Sequence, residues 1–404
     1  MAQISLFDGA TKFVVDKPIR LIELFAGIGS QAKALERLGA DFEHYRICEF
    51  DKYAVASYNA VHGTNFGTSD ITKIKAENLG IVDTDKYCYI MTYSFPCQDL
   101  SLAGKQRGMV KGGGTRSGLL WEVERLLDEC KELPQVLIME NVPQVIGTKN
   151  IEHFAKWQEK LESLGYKNKW QVLNAKDFGI PQNRERCFMV SILGDYYYEF
   201  PKTMKLEKRL KDLLEPEVAE KYYLSDRAIK GIQNSKFNCS TLQARTEKNG
   251  VMPTLCSRDY KDPKLVIEDI RLRELTSGQS QANRIYDPNG LSCTLSAEGG
   301  GLGAKTGLYM VFDEQNNYIR KDNCVGTLTT DGSSPKHNNR IIEPNYRIRK
   351  LTPKECWRLM GFDDKDVDNA RAVGMSDAQL YKQAGNSIVC NVLVEIFKNL
   401  LKND

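Results

Sequence analysis

The chain has 404 residues, 41% of them hydrophobic and 27% charged, with a net charge of +3. At about 100–200 residues per domain this makes two or three domains, and the near-average composition excludes a disordered, collagenous or coiled-coil chain. No run approaches the roughly 18 apolar residues of a membrane span, and the opening MAQISLFDGATKFVVDKP lacks the basic and apolar regions of a signal peptide.

Over the first 200 residues, short apolar runs alternate with amphipathic stretches. The runs predict strands at 21–25, 45–50, 89–95, 136–139, 171–175 and 187–193. Between them, Leu119, Leu120, Val123, Leu126, Leu127 and Cys130 fall at helical spacing within 119–133. Ile151, Phe154, Ala155, Trp157 and Leu161 do the same within 151–164, and Gly165 follows as a helix stop. Such alternation predicts an α/β domain with a doubly wound, mostly parallel sheet. After about residue 195 the helical periodicity fades and Gly, Asn, Ser and Thr become frequent. Pro-Thr-Leu at 253–255, Cys-Thr-Leu at 293–295 and Gly-Thr-Leu at 326–328 each precede a polar loop and a new apolar run (265–267, 308–312, 341–342). They read as three strand–loop–strand units of a second, β-rich domain. A closing helix follows over 387–401, with Ile388, Val389, Val392, Leu393, Ile396, Phe397 and Leu400 on one face.

Three places carry chemistry. In LIELFAGIGSQA (21–32) a strand runs into Gly27-x-Gly29-x-x-Ala32 and then a helix, and Glu49 ends the next strand. The glycines allow a tight turn and close backbone approach, and the acid can accept hydrogen bonds from a ribose. Alone, this fits a nicotinamide dehydrogenase as well as an S-adenosylmethionine-dependent methyltransferase. In SFPCQDLSLAGKQRG (94–108), Cys97 comes directly after a strand, where a thiolate nucleophile makes chemical sense. A small buried thiol is the plainer reading. Finally, VLIMENV (136–142) ends in Glu140-Asn141, and QNRERCF (182–188) places Arg184 and Arg186 before another strand, as substrate groups or as a structural ion pair.

In this order, FAGIG (25–29), Glu49, Asp70-Ile71, PCQ (96–98), RSGLLWE (116–122), ENV (140–142), QNRER (182–186), RKLTPKECWRLMGF (349–362) and GNSIVCNV (385–392) resemble the motif set of the DNA cytosine-5 methyltransferases of bacterial and phage restriction-modification type. The resemblance implies a class I S-adenosylmethionine-dependent α/β fold with a smaller β-rich target-recognition domain. S-adenosyl-L-methionine is the implied cofactor and double-stranded DNA the implied partner. Cys97 would add as a thiolate to cytosine C6 and make C5 nucleophilic. Glu140 would supply or share a proton at N3, which needs a raised pKa. Arg186 would hold O2, and Arg184 would orient the nucleotide and loop. Phe25, Gly27, Gly29 and Pro96 would line the cofactor, Glu49 its ribose, and Asp70 and Ile71 its adenine, with Leu119, Asn386 and Ser387 completing the pocket. The target base must leave the duplex. The loop 98–118 would close over it, with Lys105, Arg107 and Arg116 toward phosphates.

QANRIYDPNGLSCTLSAEGGGLGAKTGLY (281–309) further resembles the recognition region of a family member that modifies the inner cytosine of GCGC. Gln281 would fill the space left by the flipped base. Arg284 would bind guanine O6/N7, and Ser296, Gly299, Gly300 and Gly301 would bring backbone to base edges. Glu298, where that relative has an aromatic residue, and the extra segment 313–345 depart from it. The expected target is a short GC-containing site, GCGC or GCNGC. The alternatives are a transfer-RNA cytosine-5 methyltransferase and a DNA-binding relative without catalysis.

The expected domains are 1–194 (catalytic), 195–362 (recognition) and 363–404 (returning to the catalytic domain). Eleven cysteines with no CxxC pair point to reduced thiols. His44, His62, His153 and His337 are scattered at no metal-ligand spacing, so no metal is expected. The chain reads as a cytoplasmic, monomeric enzyme of a bacterial cell or phage-infected host, without a membrane partner.

Overall fold

Apolar runs that cannot be wetted on either face form the middle of the sheet. Strands β1 (Ile19–Leu24), β3 (Cys88–Tyr93) and β4 (Val136–Asn141) are buried almost throughout. They join β2 (Phe42–Cys48), β5 (Tyr166–Asn174) and β6 (Glu185–Leu193) in a six-stranded sheet of order β2-β1-β3-β4-β6-β5. The first four strands are parallel, and β6 runs antiparallel to β4 and β5. The computed structural model describes residues 11–96, 116–223, 251–257, 265–268, 285–286, 308–309, 311–313, 318–320, 339–341 and 347–401.

The winding reverses beside β1, with β2 on one flank and β3 on the other. A crevice opens beyond the carboxyl ends of strands at such a switch point. Leu24 pairs with both Cys48 and Tyr93, so the loops leaving β1, β2 and β3 start at one level. Helices α1 (Ser30–Leu38), α2 (Lys52–His62), α3 (Leu120–Glu129) and α4 (Ile151–Ser163) follow these strands. Both predicted central helices lie where their spacing puts them, although residues 116–119 form a 3-10 turn ahead of α3. Strand β5 is longer than the predicted 171–175, because this edge strand is half exposed and its residues do not alternate cleanly.

Four helices close the chain: α5 (Pro353–Leu359), α6 (Asp364–Ala372), α7 (Asp377–Asn386) and α8 (Cys390–Leu401). The apolar face of α8 packs on α1. Lys33 of α1 reaches Asp363 at 3.1 Å and Asp366 at 2.9 Å. Gln383 of α7 donates to the Tyr53 carbonyl (3.0 Å) and to Ser57 (2.9 Å).

The chain separates into two units, Met1–Pro216 with Glu247–Lys264 and Leu351–Asp404, and Glu217–Thr246 with Leu265–Lys350. These boundaries differ from the expected 195 and 362, for a visible reason. Met252–Pro253 pairs with Gln182–Asn183, so the first Thr-Leu segment belongs to the sheet-bearing unit. Residues 351–362 belong there too: the Thr352 hydroxyl donates to Glu215, and Glu355 accepts from the Glu215 N–H at 2.9 Å. In the second unit Leu265–Glu268 pairs with Arg347–Lys350, and Val311–Asp313 with Tyr318–Arg320 and Asn339–Ile341, all antiparallel. Ile285–Tyr286 runs parallel to Leu308–Tyr309. The Thr-Leu positions at 293–295 and 326–328 lie outside the described residues. Among the described residues no helix is long and apolar enough to cross a membrane.

Candidate active site

The turn after β1 is built from left-handed residues: Phe25 (φ 59°), Gly27 (φ 57°) and Gly29 (φ 79°). A bulky side chain at positive φ is rare and is held only where surroundings impose it. Here the Phe25 N–H donates to the Cys48 carbonyl at 2.7 Å. A Cβ on Gly29 would fall 2.3 Å from Nε2 of His62, so only glycine fits. One step further out, Glu49 accepts from the N–H groups of Gly27 (3.0 Å) and Asp51 (2.9 Å). Burial pushes the Glu49 carboxyl above its ordinary range, against the pull of those bonds. The next residue, Phe50, is 75% exposed.

Asp70 and Ile71 sit beside this turn. A cavity of about 390 Å³ is lined in part by Cys48, Ser69, Asp70 and Ile74. Asp70 Oδ1 accepts from the Thr72 N–H (3.0 Å) and hydroxyl (2.8 Å), which hold its carboxyl below the usual range. Ile71 is buried, and its carbonyl accepts from Arg125 of α3 at 2.9 Å. Leu119 is half-buried against the core. Asn386 is exposed at the end of α7, while Ser387 is buried and donates to the Gln383 carbonyl.

A second group lies along the same rim. Glu140, near the end of β4, meets Arg186, at the start of β6, with Nε 3.1 Å from Oε1. Glu140 is nearly buried. Burial raises its carboxyl above the ordinary range; the Arg186 and Arg184 charges oppose this and do not cancel it. The chain entering the Pro-Cys-Gln loop is pinned from two sides. Asn141 donates to the Phe95 carbonyl at 3.0 Å, and Ser117 to the Pro96 carbonyl at 2.7 Å.

Arg184 stands near enough to Glu140 for its charge to act there. Its buried guanidinium donates to the carbonyls of Leu255 (2.8 Å), Gly385 (3.1 Å) and Ser387 (2.7 Å). The described geometry makes it a clamp between three chain segments. His44 and His62, distant in sequence, meet beside Glu36 with ligand atoms within 4.8 Å of one another. Cys97, Lys105, Arg107, Gln281, Arg284, Ser296, Gly299, Gly300 and Gly301 lie outside the described residues, and of Arg116 only the backbone is described.

Sequence reading does not single out Phe50, Asn141 or Ser117, which the structure places along this rim. Phe50 was absorbed into a predicted strand, whereas β2 ends at Cys48 and leaves the ring in solvent. Asn141 and Ser117 stood inside quoted motifs, but nothing local shows which carbonyls they reach.

Residues 19–402 match the family of C-5 cytosine-specific DNA methylases. The orphan methyltransferase M.SPBetaI of Bacillus phage SPbeta is 31% identical, over 95% of this chain and 97% of its own. The type II methyltransferase M.HhaI of Haemophilus parahaemolyticus is 33% identical, over 95% of this chain and 94% of its own. The solved Entamoeba histolytica methyltransferase EhMeth shares the fold, with a TM-score of 0.61 and 17% identity over 95% of this chain and 98% of that one. The chain is a DNA cytosine-5 methyltransferase and belongs to the C-5 cytosine-specific DNA methylase family.

Proposed function

We propose that the chain methylates C5 of a cytosine flipped out of a short GC-containing site in double-stranded DNA, with S-adenosylmethionine as donor and Cys97 as transient covalent nucleophile. The observation that carries this reading is the Glu140–Arg186 pair. It lies on the strand next to β3, whose end leads into Cys97 through two pinned peptides.

Several features fit the cofactor. The Glu49 carboxylate is desolvated and holds the glycine turn, yet has lone pairs left for ribose hydroxyls. Phe50 offers an exposed flat face for a purine. The cavity beside Asp70 has the size of a small-molecule site. When bound, the cofactor supplies a sulfonium methyl group as the electrophile.

The remaining chemistry belongs to the chain. Cys97 thiolate forms a bond to C6 of the cytosine, and the displaced electron pair moves toward N3. Glu140 in its protonated form donates there, and Arg186 holds both Glu140 and the base oxygen O2. The electron-rich C5 then takes the methyl group. Loss of the C5 proton to water expels Cys97 as thiolate, and N3 returns its proton to Glu140, which restores the enzyme. Arg284, Gln281, Ser296 and Gly299–Gly301 read the site, with guanine 3′ to the target base.

The test offers labelled S-adenosylmethionine with unmethylated duplex DNA and with transfer RNA, followed by base-resolution mapping of 5-methylcytosine. Label at one recurring GC-containing site is expected. Label in RNA alone moves the activity to transfer RNA. Cys97→Ser should bind DNA without turnover, and appreciable turnover removes the covalent step.

A further inference from the structure

We propose that Glu36, His44 and His62 form a binding site for one divalent transition-metal ion of the zinc class. The three residues come from three elements, α1, β2 and α2. Glu36 Oε1 lies 2.5 Å from Nδ1 of His62 and 3.7 Å from Nε2 of His44.

The partner on the far side of each ring bears on what faces inward. Nε2 of His62 lies 3.1 Å from the Ile28 carbonyl, which can only accept. Nε2 therefore carries a hydrogen, and Nδ1, which faces Glu36, exchanges its proton for the ion when the metal binds. Nδ1 of His44 lies 3.1 Å from the Tyr58 hydroxyl, whose own hydrogen goes to Glu23 at 2.5 Å. With Glu23 ionised, Nδ1 of His44 donates and its Nε2 presents a lone pair. One nitrogen of each imidazole and a carboxylate oxygen lie within 4.8 Å of one another, where a metal ion can take the place of the proton between them. A backbone carbonyl behind one ligating histidine and a hydrogen-bonded hydroxyl behind the other are the outer partners that hold metal-binding imidazoles in place.

The donor set selects the ion. Two imidazoles and a carboxylate suit zinc, cobalt or nickel rather than the oxygen-seeking magnesium or calcium. Metal–ligand bonds of about 2.0–2.1 Å set tetrahedral ligand atoms roughly 3.3 Å apart. The Glu36–His62 separation is shorter than that, so the Glu36 side chain, 31% exposed, swings outward to admit the ion. Its exposed flank gives the ion a way in. Lys33 approaches the other oxygen, Oε2, at 3.7 Å, and leaves Oε1 to the histidines. The bound ion would tie α1, β2 and α2 together and, through His62, hold the Ile28 carbonyl within the glycine turn.

The test titrates zinc chloride into chelator-stripped full-length protein by calorimetry, alongside thermal melts and the visible spectrum of the cobalt form. The same is done for Glu36→Gln and His44→Gln, chosen because His62 packs on Gly29 and its loss endangers folding. One zinc per chain, a raised Tm, and affinity falling by more than about tenfold in each variant are expected. The chain holds eleven cysteines, so the cobalt spectrum must lack a thiolate charge-transfer band. Such a band, equal zinc binding by both variants, or no saturable binding overturns the proposal. The last outcome would leave a shared proton as the cation between Glu36 and His62.

Discussion

Desolvation and two guanidiniums pull Glu140 in opposite directions, and desolvation wins. Its carboxyl stays protonated to higher pH than an exposed one, so the acid form is present below the raised pKa and lost as pH rises through it. Glu140→Gln is expected to lower kcat by about 10²–10⁴-fold and to erase the alkaline limb that this group gives the rate profile; a surviving limb belongs to another residue. A second buried carboxyl, Glu23 within β1, is pushed by burial to about 7. The folded state holds its proton more tightly than the unfolded chain. Its contribution to stability is therefore full below the unfolded value and falls away as pH rises through about 7. Against wild type, Glu23→Gln should gain in Tm between pH 5 and pH 8; parallel Tm curves would show that Glu23 does not titrate in that range. Much at this scale was readable in advance, because Glu49, Glu140 and the glycines sit where strands end. The carbonyl partners of Arg184, on Leu255, Gly385 and Ser387, were not, because they leave no trace in the residues around it.

Three segments cross at the junction of α7 and α8. A Cβ on Gly385 would lie 2.2–2.4 Å from the Cys256–Ser257 backbone, which cannot swing aside as a side chain can. Gly385→Ala should cost about 1–3 kcal/mol or more, read as a lower urea midpoint. An unchanged midpoint would mean that residues 256–257 move freely. Arg184→Lys replaces a planar fork by a single ammonium and loses part of three carbonyl contacts, for about 1–3 kcal/mol. Elements with strong periodicity, such as α3, α4 and α8, were visible in sequence. Helices α5 to α7 were not, because they are short and polar-rich. Their starts at Thr352-x-x-Glu355 and Ser376-x-x-Gln379 carry reciprocal caps that a search for apolar stripes passes over.

The sheet-bearing unit is discontinuous: its last piece, Leu351–Asp404, follows the whole second unit in sequence. Leu393, Ile396, Phe397 and Leu400 on α8 are fully buried. Truncating each such side chain costs about 2–5 kcal/mol, against a total stability of about 5–15 kcal/mol. A chain ending before Cys390 should therefore lose its near-UV dichroism and its soluble yield; a native-like spectrum would show that α8 is dispensable. At this scale the α/β alternation made the fold class legible. The unit boundaries were hidden, because contacts such as Gln182 with Leu359 join residues far apart in the chain. The discontinuity also sets an order in time. A ribosome makes the catalytic strands first, the second unit next and α8 last. A chain cut short carries Cys97 and Glu140 without the helix that packs on α1. A half-made product is therefore expected to transfer no methyl group to DNA, and label transferred by a chain ending before Cys390 would show that the catalytic strands work without α8.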